Sequence, residues 1–220
     1  MNNFNNLFDS LIIERDTSVR KVGIFPGAFK PPHMGHFFTA LQACKDNDVV
    51  YIFISKKPRA LSTQNKSKPG ATGDCDADRY TNFMKNDKYT GNLLNVEPAA
   101  CSRLTSASVM RAALALGDQG KETVYNNIPE MVNRDQVWDI LNISNDISNG
   151  DNFGHITIDQ ALEIWSIYKD SLIKSSDLSG DDINIVVSEV SPVKDTYDLV
   201  NDMNISEMAS QTSVKLYVGT

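Results

Sequence analysis

Two histidines, His33 and His36, stand three residues apart, shortly after an apolar segment that is typical of a β-strand. Residues three apart on a helix are neighbours on one face, so a helix that begins near His33 would place both imidazoles on the same side. The N–H groups of a first helical turn have no intrahelical partners and carry the positive end of the helix dipole, which suits phosphate. The spacing therefore predicts an anion site built from two rings and a helix start.

The residues around the histidines agree with this interpretation. A proline such as Pro32 loses nothing at a helix start, and Gly35 removes a side chain where a ligand must come close. Zinc is the alternative use of two nearby histidines, but it needs further ligands. Neither His155 nor any cysteine stands at a spacing that would supply them. Phosphate binding is thus favoured over metal binding.

Residues 27–36 (GAFKPPHMGH) resemble the signature of the HxGH nucleotidylyltransferase superfamily, which includes the adenylyltransferases for nicotinamide mononucleotide and phosphopantetheine and the cytidylyltransferases. Residues 105–111 (TSASVMR) are similar to a second family element, a serine-rich helix start that ends in arginine. The resemblance implies transfer of AMP from ATP to a small phosphorylated acceptor such as nicotinamide mononucleotide, with release of pyrophosphate and no covalent enzyme intermediate. A cytidylyltransferase that uses CTP and a catalytically inactive nucleotide-binding assembly module are the alternatives.

The resemblance also implies roles for single residues. His36 matches the family histidine nearest the transferring phosphate, and His33 matches its partner on the triphosphate. Arg111 matches the arginine that neutralises the β- and γ-phosphates, with a surface salt bridge as the alternative, while Lys30 either touches the incoming phosphate or faces solvent. Ser106 and Ser108 are expected both to cap their helix and to bind phosphate. The candidates are then catalytic His33, His36, Lys30 and Arg111, and nucleotide-binding Gly27, Ala28, Phe29, Gly35, Ser106 and Ser108, with no protein ligand for a metal.

Magnesium is implied as a cofactor, because triphosphates travel as magnesium complexes and the metal offsets their charge. Residues 74–78 (DCDAD) alternate carboxylates in the same way as the first residues of a calcium-binding loop. They lack the glycine and the distal glutamate of such a loop. They resemble instead an acidic loop of some phage-type relatives. Residues 56–59 (KKPR) bring three cations to the carboxyl end of a predicted strand, where open α/β sheets bind ligands, and this location favours a phosphate over solvated loop charge.

Composition limits the function classes. The 220 residues, 41% of them apolar, suffice for one domain over 21–220 that contains a linker at 142–154. A net charge of −7 argues against nucleic acid as a partner. No apolar stretch approaches the roughly 20 residues that span a bilayer, and no secretory signal is visible, so no membrane partner is expected. Three cysteines without paired spacing indicate reduced thiols and a cytoplasmic protein; they are Cys44, Cys75 and Cys101.

The first 20 residues predict a short amphipathic helix. Their apolar side chains recur at helical spacing and form one stripe, made of Phe4, Leu7, Phe8, Leu11 and Ile12. Such a stripe packs on the domain or on a partner subunit. A homo-oligomer formed through this helix is therefore a further expectation.

The apolar pattern alternates between strands and helices along the rest of the chain. Strands are predicted at 21–28, 49–55, 93–96, 183–190 and 214–218, and helices at 33–44, 78–86, 105–116, 137–141, 157–173 and 193–202. This alternation is typical of a Rossmann-like, doubly wound parallel sheet of about five strands in an α/β fold.

The order of these elements departs from the family. In the superfamily the serine-rich helix comes near the carboxyl end, whereas residues 156–220 look like the family's middle section and yet stand last. The sequence therefore predicts a permuted or rearranged chain. That hypothesis requires residues 214–218 to lie beside residues 22–25 in the sheet.

Overall fold

The computed structural model describes residues 20–56, 59–61, 96–99, 106–142, 155–188 and 212–217. These residues form a mixed α/β structure. Its elements are β1 (Arg20–Gly27), α1 (Met34–Asp46), β2 (Val49–Ser55), β3 (Arg59–Ala60), β4 (Val96–Ala99), α2 (Ala107–Leu114), a 3-10 turn (Gly117–Gly120), α3 (Lys121–Tyr125), α4 (Arg134–Asn142), β5 (His155–Ile156), α5 (Ile158–Ser175), β6 (Ile183–Ser188) and β7 (Thr212–Tyr217).

The main sheet contains five of the described strands in the order β4-β7-β1-β2-β6, and all neighbouring pairs are parallel. The predicted α/β class with a parallel sheet is confirmed. β1 lies in the middle, where Val22 pairs with Val214 of β7 on one side and with Val49 of β2 on the other. The neighbourhood that a rearranged chain requires is therefore present. The doubly wound arrangement is a finer statement and stays a prediction.

Both faces of the central strands are buried. Phe25 and Ile52 belong to one large apolar cluster with the helices, and Ile24 and Phe53, whose side chains alternate with them, are also buried. This explains why β2 is a continuous apolar run rather than an alternating one. Helices α1 and α5 contact each other and the strands, so they cover the same face.

Helix α5 begins and packs as its sequence dictates. Thr157 and Gln160 form a reciprocal capping box, in which the Gln160 amide donates to Thr157 Oγ1 at 3.2 Å and the Thr157 amide to Gln160 Oε1 at 3.0 Å. The buried residues recur every three or four positions and form one stripe: Ala161, Ile164, Trp165, Tyr168 and Leu172. This stripe carries the large aromatic rings that pack behind the histidine segment.

Some predicted boundaries were wrong. The strand predicted at 93–96 continues beyond residue 96 to Ala99, through Pro98 in register with Leu216, and residues 93–95 lie outside the described residues. β4 is the outermost described strand on its side of the sheet, where a proline costs no ladder hydrogen bond. The helix predicted at 137–141 begins instead at Arg134, since the Asn133 side chain accepts a hydrogen bond from the Gln136 amide and caps the start.

Two helical turns after α2 were not predicted, because Gly117 indicated only a helix end. At Gly120, a Cβ would lie 1.8 Å from the Ala113 carbonyl oxygen, so this glycine permits close packing on α2. Residues 121–125 then continue as α3.

Several predictions lie outside the described residues. They are the helix within residues 1–20, the helices at 78–86 and 193–202, the linker from 143 on, the acidic loop at 74–78, and Cys75 and Cys101.

Cys44 is described and buried in the core, and burial raises the pKa of its thiol to about 12, as expected of a structural cysteine. Among the helices of the described ranges, none has the length and apolar character to cross a bilayer.

A polar cluster joins β7 to the end of α1. Asp46 Oδ2 accepts hydrogen bonds from Lys215 Nζ at 2.8 Å and from the Tyr217 hydroxyl at 2.9 Å, and Asn47 Nδ2 donates to the same hydroxyl at 2.9 Å. Gly23 makes room for the cluster, because a Cβ there would lie 2.8 Å from Asn47 Nδ2. Partial burial alone would raise the pKa of Asp46, but the hydrogen bonds from Lys215, Tyr217 and Gln42 and the charge of Lys215 together lower it.

Asp46→Asn is expected to destabilise the fold by about 1 kcal/mol at pH 7, because it removes a charged acceptor that two donors share. The folded-state pKa of Asp46 lies below its ordinary value of about 3.9, so this contribution is present above that pH and is lost as the pH falls through the lowered value. Urea unfolding between pH 7 and pH 3 should show the deficit of the variant shrinking toward zero. The exposed Asp118, changed to Asn, is the control. A deficit that is constant over this range contradicts the assignment.

Candidate functional site

The segment that links β1 to α1 is shaped by one close contact. Phe29 has a φ of 48°, in the left-handed region that side chains rarely adopt, and its ring is buried in the core. A Cβ on Gly27 would lie 2.5 Å from that ring, so glycine is required where β1 ends. The predicted nucleotide-binding residues Gly27 and Phe29 therefore form the turn itself, and the strain of Phe29 points to a functional segment.

The two histidines come together at the start of α1. His33 is the N-cap residue, and the two rings stack with centroids 3.6 Å apart and planes 20° from parallel. The His33 amide donates a hydrogen bond to His36 Nδ1 at 3.2 Å, which fixes the orientation of the second ring. The side-by-side placement predicted from their spacing is thus observed. Both residues are buried, with 0% and 4% of their surface exposed.

The first helical turn of α1 is not open for an anion in the way its sequence indicated. The Met34 amide donates to the Asn127 carbonyl oxygen at 2.8 Å, in the turn between α3 and α4. Gly35, predicted to admit a ligand, is buried. A carbonyl of the protein therefore occupies one of the amides that the sequence predicted for phosphate.

Lys30 does not face solvent, so that alternative is wrong. Its side chain is buried, and its ammonium group donates to the carbonyl oxygens of Ser55, at the end of β2, and of Ala28, the latter at 3.3 Å. A cation here binds the carboxyl ends of two neighbouring strands together. The predicted nucleotide-binding residue Ala28 thus uses its carbonyl oxygen for a contact within the protein.

Arg111 joins the two sequence motifs. From the middle of α2 its Nη1 donates to the Lys30 carbonyl oxygen at 2.7 Å, and its Nη2 donates to Ser108 Oγ at 3.0 Å. Ser106 caps α2, with its hydroxyl oxygen accepting from the Ser108 amide at 3.2 Å, as predicted for a serine at this place. The serine-rich helix start and the histidine segment, far apart in the chain, therefore meet at the carboxyl edge of the sheet.

An aromatic cluster supports the segment from behind. The Phe29 ring packs edge-on against His36, with centroids 4.8 Å apart, and against Trp165, at 5.2 Å. The Tyr168 hydroxyl donates to the Pro32 carbonyl oxygen at 3.4 Å. Helix α5 thus fixes both the turn at Phe29 and the residue before His33.

The sequence did not indicate the contacts of Asn127 and Tyr168. A main-chain carbonyl such as that of Asn127 leaves no sequence signal, and within the helix predicted at 157–173 the position of Tyr168 indicated only its apolar packing. Within the described parts of the chain, no group of three or more His, Cys, Asp or Glu side chains could hold a metal ion. The site offers imidazole, guanidinium, ammonium and hydroxyl groups, a donor set that suits phosphate better than a metal.

Comparison with family models, with curated proteins and with solved structures gave no match for this chain. Two imidazoles, the serine-capped start of α2 and Arg111 surround the carboxyl ends of β1 and β2, which is the edge where ligands bind in open α/β sheets.

Gly27→Ala is expected to lower the free energy of unfolding by about 1 to 3 kcal/mol, because the new methyl group must displace the Phe29 ring. Gly180→Ala is the matched control, since a Cβ there meets only Ile173 Cδ1 at 3.8 Å, and a change within about 0.5 kcal/mol is expected. Chemical unfolding of both variants checks this. Equal stability of the two would show that the Phe29 ring does not depend on Gly27.

Proposed function

We propose that the chain is a nucleotidylyltransferase that transfers AMP from ATP to a small phosphorylated acceptor such as nicotinamide mononucleotide. The observation that carries the proposal is the meeting of the two motifs: Arg111, on the serine-capped helix, is bonded to the segment that presents His33 and His36. Phosphoryl chemistry of this kind asks the protein mainly for positioned donors and positive charge. The site supplies both.

In the proposed reaction an acceptor phosphate oxygen attacks the α-phosphorus of ATP. A new P–O bond forms, the bond between the α-phosphorus and the bridging oxygen breaks, and pyrophosphate leaves with that bond's electron pair. His36 stabilises the charge that grows on the α-phosphate, His33 binds the triphosphate beside it, and Arg111 with the start of α2 neutralises the departing pyrophosphate. Magnesium enters bound to ATP as part of the substrate, since the residues of the site form no carboxylate cage for it.

Lys30 takes a different part in this proposal from the one its sequence position suggested. The Lys30 ammonium group donates hydrogen bonds to the Ser55 and Ala28 carbonyl oxygens, so this residue joins the end of β1 to the end of β2. Its positive charge is buried within the protein and does not contact the phosphate directly. Its carbonyl oxygen orients Arg111. Lys30 therefore acts on the phosphate indirectly, by orienting Arg111 and through the electrostatic field of its ammonium group.

The finer description of the fold belongs to this proposal as well. A Rossmann-like, doubly wound sheet with rearranged order would keep the family's spatial arrangement while changing the sequence of connections. The parallel pairing of β7 with β1, and of β4 with β7, supports this, because it leads from the motif strand to the strand that precedes the serine-rich helix. A cytoplasmic location and assembly through the N-terminal helix are the remaining parts of the proposal.

One observation favours a second function, that of a nucleotide-binding assembly module without catalysis. Lys30, His33 and His36 are all buried, as expected if these residues hold the fold together and no longer take part in chemistry. A cytidylyltransferase remains the alternative within the enzyme class, since base choice depends on contacts that these residues do not determine.

A pyrophosphate-release screen of four nucleoside triphosphates against several phosphorylated acceptors tests the proposal. Release is expected with ATP and nicotinamide mononucleotide, and His36→Ala should reduce it by at least about 100-fold, as removal of one preorganised donor does elsewhere. His36→Asn separates chemistry from folding, because the Asn oxygen can accept the hydrogen bond that Nδ1 accepts and the variant still lacks Nε2. It should be equally impaired.

His155→Ala is the matched control for these variants, because this third histidine is exposed in β5 and its change should leave the rate within about twofold. Nucleotide binding in a calorimeter without pyrophosphate release for any pair would establish the module instead. Full activity of His36→Asn would refute the role of the histidine.

A further inference from the structure

We infer that Arg134 is a positioning residue for the two histidines, an inference that rests on the proposed function and adds a residue outside both motifs. Arg134 is the first residue of α4, and its Nε and Nη2 donate to the Ile128 carbonyl oxygen at 3.2 and 3.1 Å. Asn127, the residue before Ile128, accepts the hydrogen bond of the Met34 amide. The guanidinium therefore fixes the turn at Ile128, and this turn fixes the start of α1 through the hydrogen bond from Met34.

The turn between α3 and α4 is fixed on several sides. Ile128 and Val132 are buried in the cluster that also contains Phe29, and Asn127 Nδ2 donates to the Thr123 carbonyl oxygen at 2.7 Å. With apolar anchors and the fork of Arg134 acting together, the Asn127 carbonyl has a defined position. A group so fixed can orient a helix start, which a flexible carbonyl could not.

The position of the Met34 backbone determines the orientation of both histidine rings. His33 precedes Met34, and its amide donates to His36 Nδ1, so the angle of one ring depends on the backbone that carries the other. The stacking of the rings couples them further. A shift of the Asn127 carbonyl must therefore alter the geometry of the pair.

The alternative roles of Arg134 are weak. A cation at the first residue of a helix is disfavoured by the helix dipole, so Arg134 is poorly placed to stabilise α4. Its ion pair with Glu130 spans 3.8 Å, and the Glu130 side chain is 91% exposed, a kind of pair that contributes little. The contact with the Ile128 carbonyl is what remains.

Arg134→Ala tests this without relying on turnover alone. The chain has three histidines, so selectively labelled ring signals can be resolved, with exposed His155 as the internal reference. The variant should shift the ring signals of His33 and His36 and leave that of His155 unchanged. Glu130→Gln is the matched control, because it removes the ion pair and keeps the bond to Ile128, and it should shift none of the three.

In the pyrophosphate-release assay, Arg134→Ala should lower kcat about 10-fold and raise KM for ATP by a smaller factor, since His36 acts in the chemical step and His33, which binds the triphosphate, moves with it. Arg134→Lys, whose ammonium group can still donate to the Ile128 carbonyl oxygen, should recover part of kcat. Unshifted signals of His33 and His36, or an equal effect of Glu130→Gln, would overturn the inference. Absence of turnover in the unmodified protein would refute the proposed function, and the ring signals would still decide the role of Arg134.

Discussion

The hydrogen bond between Arg111 and the Lys30 carbonyl is the interaction on which the candidate site depends. Residue 30 is where three parts of the fold meet: its side chain joins the ends of β1 and β2, and its carbonyl oxygen receives a guanidinium from α2. A main-chain oxygen holds the guanidinium in one place, because the position of the oxygen is fixed by the backbone on both sides. The same backbone leads within three residues to His33. The distance between the two motifs is therefore set by a bond to the peptide chain and not by a pair of flexible side chains.

The rest of the structure serves to hold that segment still. Aromatic rings of α5 pack beneath Phe29, the turn after α3 takes up the Met34 amide, and the close approach of Phe29 to Gly27 determines where β1 must end. At the other end of α1, Asp46 ties the helix to β7 through a lysine and a tyrosine. Helix α1 is thus anchored at both ends, which limits how far its histidines can turn. Preorganisation of this kind is what a site that works through fixed donors requires.

Much of this could be predicted wherever one local pattern decides the outcome. The bounds of β2 were predicted at 49–55 because a buried strand is a continuous apolar run. The contact between the two histidines was predicted because residues three apart at a helix start lie on one face. The contacts of Lys30 and Asn127 could not be predicted, because they end on main-chain carbonyls, which every residue has. Likewise the end of β4 was predicted three residues too early, since the sequence does not show that a proline will lie on an outer strand.

A rearranged order of elements, as proposed, would be compatible with an intact site for a geometric reason. In a parallel sheet all strands present their carboxyl ends at one edge, so the groups that meet there depend on which strands are neighbours and not on the order in which the chain visits them. β1 lies between β2 and β7, and the strand that precedes the serine-capped helix lies beyond β7. Arg111 reaches Lys30 in this arrangement although the two residues lie 81 positions apart in the chain. Selection for the chemistry would then act on contacts at the edge and leave the connections free to change.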